Sequence, residues 1–99
     1  MCGAKKGGPS LEGVDVAKES IIQGVVVQDD EPVSTGYVRL LDRTGEFTAE
    51  VPVSATGQFR FFAAPGDWTV RALVPSADPV DRQVRASKGD VAEVTISVG

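Results

Sequence analysis

Three side chains near the start of this 99-residue chain could do chemistry together: Cys2, the sole cysteine, and the neighbouring Lys5 and Lys6. An initiating methionine is normally trimmed before a small residue, so the expected mature terminus is Cys2, its thiol beside an α-amino group of pKa about 8. The two lysines add positive charge, which favours the thiolate, the nucleophilic form. A thiolate on a glycine-rich segment can reach into another protein's active site and accept a sulfane sulfur, where a thiol on a rigid strand cannot. The same residue also reads as an incidental terminal thiol that oxidises without purpose, and both readings stand at this point.

Other constellations are weaker. The chain has no histidine, so it lacks the usual general base near neutral pH and the commonest ligand for zinc, copper or iron. No cofactor and no metal are expected. The acidic run Asp29-Asp30-Glu31 lacks the spaced oxygen ligands of a calcium loop and reads as a solvated turn. Arg39, Arg60 and Arg71 fall on the outward parity of three strands; they form either a basic stripe for an anion or separate cross-strand pairs with carboxylates such as Glu50. Tyr37, Leu41, Phe62 and Leu73 also fall outward and together define a candidate protein interface, the alternative being a bulge or a covering segment. Trp68 shares the parity of Val70 and Ala72 and is expected in the core rather than on a sugar-binding platform with Phe62 and Tyr37.

The frame that positions these residues is all-β. Ninety-nine residues make one domain able to bury roughly two-thirds of its unfolded surface without a staple. Ser20 to Val27 reads as a strand with two apolar faces. Tyr37 to Asp42 places Val38 and Leu40 inward, and Phe47 to Val53 places Phe47, Ala49, Val51 and Val53 on one side, with Pro52 on the other arguing for an edge or a bulge. In ATGQFRFFAAPGDWTVRALVP, Phe59 and Phe61 share one face, a Pro65-Gly66 turn follows, and Trp68, Val70 and Ala72 line up next, predicting a hairpin. Asp81 to Ala86 and Val91 to Val98 complete seven strands. Thr44-Gly45-Glu46-Phe47 and Thr56-Gly57-Gln58-Phe59 are read as turns that punctuate this series rather than as a duplication. Residues 1–19 lack periodicity and are rich in glycine, so they are expected to be a flexible tail unless Leu11, Val14 and Val16 find a hydrophobic groove.

Ten basic against fourteen acidic residues give a net charge of −4, the wrong sign for coating a phosphate backbone, so no nucleic acid is expected. No run approaches the ~20 apolar residues of a membrane span. A single cysteine and no secretory signal give a cytoplasmic expectation.

Residues 20–99 carry a resemblance. Ile22-Gln23-Gly24, Pro32-Val33, Gly36 with Val38 and Leu40, Thr56-Gly57 with Phe59, Phe61 and Phe62, and Pro65-Gly66 with Trp68 and Val70 resemble the regulatory domain of carboxypeptidases and its transthyretin-like relatives. That likeness implies a seven-stranded Greek-key β-sandwich, a frame that hosts many unrelated functions. Met1-Cys2-Gly3 with FRFFAAPGDWTVRAL resembles the SseC-like actinobacterial proteins, whose genes commonly lie beside a thiosulfate sulfurtransferase. This second likeness implies such an enzyme as partner and brings no catalytic residues with it. Purine-derivative hydrolases of the transthyretin-like fold use histidines and a C-terminal tyrosine motif, and neither exists here. Met-Cys-Gly also opens glutamine amidotransferases, but those need a far larger catalytic domain, and sulfur carriers of the ubiquitin type end in Gly-Gly, unlike Val98-Gly99. The resulting expectation is a non-catalytic sandwich acting through a protein partner, with a persulfide carrier on Cys2 and a small-molecule or sugar-binding module as alternatives.

Overall fold

A computed structural model describes residues 20–99 as eight β-strands in two four-stranded sheets and no helix. Among these residues no helix is long and apolar enough to cross a membrane. In chain order the strands are β1 (Ser20–Gln28), β2 (Glu31–Pro32), β3 (Tyr37–Leu41), β4 (Phe47–Pro52), β5 (Gln58–Ala63), β6 (Gly66–Leu73), β7 (Val80–Ala86) and β8 (Val91–Val98). The first sheet centres on β1, with β5 and β2 antiparallel to it and β8 parallel. The second runs β4-β3-β6-β7, all antiparallel. Cys2 and the whole 1–19 segment lie outside the described residues.

The period-2 pattern sets the core. Ile22, Val26, Phe59, Phe61, Ile96 and Val98 from the first sheet meet Val38, Leu40, Val70, Ala72 and Ala86 from the second, all buried in one cluster. Trp68 packs against this cluster, half-buried, and its indole N–H donates to the Ala64 carbonyl at 2.8 Å. The ring thus packs at the margin of the core, short of full burial, with its N–H satisfied.

Four expectations are corrected. First, β5 and β6 do not pair with one another, so Pro65-Gly66 is a corner between sheets and not a hairpin turn. Both strands bury an alternating face, and in a sandwich such faces can meet across the core as well as side by side. Second, an eighth strand exists: Asp29 and Asp30 take φ of 54° and 67°, and Gln28 pairs with Glu31 across this two-residue turn. That geometry is the mirror-image turn whose twist matches a hairpin, usually supplied by Asn-Gly. Left-handed backbone costs an L-residue about 1–2 kcal/mol, so Asp30→Gly is expected to stabilise the domain by up to about 1 kcal/mol, read as a rise in urea midpoint. Third, Phe47 is 61% exposed instead of inward, because a register shift between Leu40 and Leu41 brings it opposite Leu41. Fourth, Leu41 is only 5% exposed and leaves the candidate interface.

The arginines form no stripe. Arg39 and Arg71 stand opposite one another on the outer face of the second sheet, while Arg60 is on β5 in the first. Arg39 Nη2 lies 2.8 Å from Glu50, and Arg71 binds Asp81 through both Nε at 2.8 Å and Nη2 at 3.1 Å. Each like-charged neighbour is thus drawn toward a carboxylate on its flanking strand. These exposed pairs are screened by solvent and add little to stability.

Two carboxyls tie local geometry to pH. Asp42 caps the β3–β4 turn: its Oδ1 accepts from the Thr44 hydroxyl at 2.6 Å, Thr44 N–H at 2.9 Å and Glu46 N–H at 3.0 Å. These bonds, the hydroxyl foremost, hold its carboxyl below the ordinary range, and the hydrogen bond from Arg71 does the same for Asp81. A carboxyl whose folded pKa is depressed stabilises above its unfolded value near about 4, and that contribution is lost as pH falls through the lower folded value. Acid titration of thermal stability is therefore expected to show a decline that begins near pH 4. Asp42→Asn should shallow its slope.

Candidate functional site

The loops β1–β2, β2–β3, β4–β5 and β6–β7 and the end of β8 gather at one end of the sandwich, as the strand directions require. Val33, Val53 and Val74 close the core there, each buried. The closure is tight. Val33 N–H donates to the Val26 carbonyl at 3.0 Å, and Val53 N–H donates to the Gly36 carbonyl at 3.0 Å. Gly36 itself adopts φ of 142°, and a Cβ on it would lie 2.7 Å from the Leu73 carbonyl oxygen. Only glycine lets the β2–β3 backbone settle against the end of β6.

On this base sits an apolar depression of about 300 Å³ whose walls include Gly36, Tyr37, Leu73, Val74, Pro75 and Pro79. Tyr37 and Leu73 are direct cross-strand neighbours, and Tyr37 is 49% exposed. A second depression of about 510 Å³, bordered by Gln28, Glu31, Pro32 and Ser34, shares the walls Thr35, Val74 and Pro75 with the first. Ser76 donates its hydroxyl to Gln28 Oε1 at 3.0 Å, and Ala77 N–H donates to the Val74 carbonyl at 3.1 Å, so the β6–β7 loop is braced against β1 and against itself. The prolines fix φ at their positions and lower the entropy lost when a ligand or partner orders the rim. The two hollows therefore form one shallow groove, apolar at the Tyr37 side and more polar at the Gln28 side.

Of the predicted interface residues, the structure brings together Tyr37 and Leu73. Leu41 is buried, and Phe62, 55% exposed, is on the outer face of the first sheet, opposite Ile21. The one-face patch of four residues is thus split between two sheets. The loop Pro75–Pro79 was missed as a wall of the site, although two prolines flanking three small or acidic residues between strands are a legible mark of a rigid rim.

At the opposite end of the second sheet lies a third hollow, of about 430 Å³, walled by Arg43, Asp67, Trp68, Gln83 and Arg85 among others. Two of its three charged walls are engaged with one another, Arg85 Nη1 standing 3.1 Å from Asp67 Oδ1. Among the described residues no three His, Cys, Asp or Glu side chains gather as a metal cluster would. The resolved shifts at Asp42, Asp81, Arg71 and Arg60 stem from turn bonds, a surface ion pair and burial. None of these groups lines the Tyr37 groove. What this groove can do is hold an apolar or amphipathic group against a preformed wall.

The model of a family described as protein of unknown function (DUF1416) matches residues 2–98. The chain is 49% identical over 100 residues to the uncharacterized protein Rv0814c of Mycobacterium tuberculosis, spanning 99% of each. It is 52% identical over 87 residues to an uncharacterized protein of Mycolicibacterium smegmatis, spanning 87% of this chain and 96% of the other. Among solved structures, it is similar to BcpA, the major pilin subunit of Bacillus cereus, with a TM-score of 0.63 and 14% identity over 83% of this chain and 30% of the pilin. It is also similar to the dioxygenase domain of a dioxygenase carbohydrate-binding protein fusion from a cellulolytic Streptomyces, with a TM-score of 0.61 and 14% identity over 88% and 84% of the two chains. At that identity the structural likenesses carry the β-sandwich fold and nothing about activity.

Proposed function

The chain belongs to the DUF1416 family, and from that membership we propose that it is a small non-catalytic binding module of the cytoplasm that works by docking a protein partner at the Tyr37 end of its sandwich. One observation carries this reading: an exposed aromatic, Tyr37, stands beside Leu73 over an apolar hollow whose walls are held by proline and by the Gly36 backbone. Aromatic anchors over preformed pockets are the usual energetic centres of protein interfaces. The lack of histidine supports a partner that brings its own chemistry.

The partner we favour is a thiosulfate sulfurtransferase, on the likeness to SseC-like proteins, and the frame is of the transthyretin and carboxypeptidase-regulatory kind. Size-exclusion co-elution with such an enzyme tests the choice of partner. Tyr37→Ser with Leu73→Ser is expected to weaken association at least tenfold while thermal stability stays near that of the parent, since Tyr37 is half-exposed at a strand start. No co-elution and no change in the enzyme's turnover would remove the sulfurtransferase from the reading.

A second reading rests on Cys2 as acceptor of a sulfane sulfur. In that step the enzyme's persulfide passes its terminal sulfur to the Cys2 thiolate: the new S–S bond forms as the enzyme's S–S bond breaks, and the enzyme thiolate is released. Intact-mass analysis after incubation with sulfur-loaded enzyme should show a gain of one sulfur that Cys2→Ser abolishes.

A further inference from the structure

The negative charge of this molecule is not spread over its surface. Residues 20–99 hold eleven Asp and Glu against seven Arg and Lys, whereas residues 1–19 hold three of each sign. The whole excess of four negative charges therefore belongs to the described residues. Four of the eleven carboxylates, all exposed, stand at the Tyr37 end: Asp29, Asp30 and Glu31 in the β1–β2 hairpin and Asp78 in the β6–β7 loop. No Arg or Lys occupies any of the loops that gather there. The other seven carboxylates are matched in number by the seven cations, and three pairs are in direct contact: Arg39 with Glu50, Arg71 with Asp81 and Arg85 with Asp67. The imbalance is thus a property of one end of the sandwich.

That end carries the groove, and the carboxylates border it on two sides. Glu31 is a wall of the polar hollow. Asp78 is flanked by Ala77 and Pro79, both walls of the apolar hollow beside Tyr37 and Leu73. An apolar seat with anionic rims selects an occupant of the reverse pattern. Exposed ion pairs contribute little one by one, but like charges gathered around one groove act as a field that raises the encounter rate of a cationic partner by about tenfold or more. The same field turns away acidic segments, which the hollow alone would admit.

We propose that the occupant of the Tyr37 groove is a basic, apolar segment of the partner protein: a leucine or aromatic side chain seated against Tyr37, Leu73 and Pro79, with lysine or arginine beside it facing Glu31 and Asp78. Such an occupant presupposes that the groove docks a partner, as proposed above, whichever enzyme that partner is. The association it describes is steered by charge and held by the apolar seat, so salt weakens it without abolishing it.

NMR titration of the full chain with two synthetic peptides tests the proposal: Lys-Ala-Leu-Phe-Ala-Lys-Lys, and its counterpart with glutamate in place of each lysine. In low salt the lysine peptide is expected to move the amide signals of Gly36, Tyr37 and Leu73 and to bind at least about tenfold tighter than the glutamate peptide. At about 0.5 M salt, where screening sets in within about 4 Å, that advantage should shrink to less than about threefold. The variant Asp29→Asn/Asp30→Asn/Glu31→Gln/Asp78→Asn should lose it in low salt as well. Asparagine suits the left-handed backbone at positions 29 and 30, so the fold is not at risk. Equal binding of both peptides at the groove would overturn the proposal and leave the docking of a partner there standing. Shifts confined to the Asp29–Glu31 turn would also overturn it, because the apolar seat would then play no part. If neither peptide moved the groove signals, this proposal and the docking of a partner at the groove would fall together.

Discussion

Gly24→Ala is expected to remove about 3 kcal/mol of stability, and with it roughly 12–24 °C of melting temperature. Gly24 is in the middle of β1, the central strand of its sheet, with Phe59 opposite on one side and Val94 on the other. A Cβ built on it collides with the Val94 carbonyl and stands 3.0 Å from the Phe59 ring. The carbonyl belongs to the β1–β8 ladder, so relief requires moving β8 rather than rotating a side chain. Overpacking that only a backbone shift can cure falls at the costly end of its range. Thermal unfolding followed by circular dichroism checks the result; a drop of less than about 4 °C would mean that β8 yields freely.

Phe59→Ala is expected to cost about 3–5 kcal/mol, in a domain whose eighty described residues give a total stability on the order of 4–12 kcal/mol. Phe59 is the largest of the fully buried side chains, 2% exposed, tilted against the Phe61 ring at a centroid distance of 6.0 Å. It occupies the space that Gly24 leaves on the facing strand, so no neighbour is placed to grow into the void. In urea the midpoint should fall with little change in slope, the mark of lost packing in a native state that keeps its shape. Phe59→Leu should lose less than half as much. Because the two positions touch, the double variant Gly24→Ala/Phe59→Ala should be less damaged than the sum of its parts.

Much of this frame was legible because strands such as β5, β6 and β8 alternate between a more buried and a wetter face. Val91 to Val98 alternates so cleanly that its bounds coincide with β8, and Pro52 marked the edge strand that β4 is. What escaped were features decided by partners distant in sequence. Pro65-Gly66 says that the chain turns, but whether the next strand pairs or crosses the core depends on β1 and β3, which compete for β5 and β6. Phe47 carries the parity of an inward residue, and one residue's slip against β3 turned it out. Asp29-Asp30 hid a hairpin turn because neither residue is the glycine or asparagine that advertises positive φ. Of the site, Tyr37 and Leu73 were found through outward parity, whereas the loops that make a hollow between them follow no period.

The parallel pairing of β1 with β8 reaches beyond statics. Gln23 and Glu93 meet across 70 residues of chain, and the whole length of β1 awaits a neighbour supplied by β8. A ribosome therefore holds an unfinished sheet until the codons of β8 have been read, and the nascent polypeptide emerges with its central strand unguarded on one flank. Protease resistance should set in only once β8 has cleared the exit tunnel, and nicking by added protease should be frequent in stalled chains that stop before Val91.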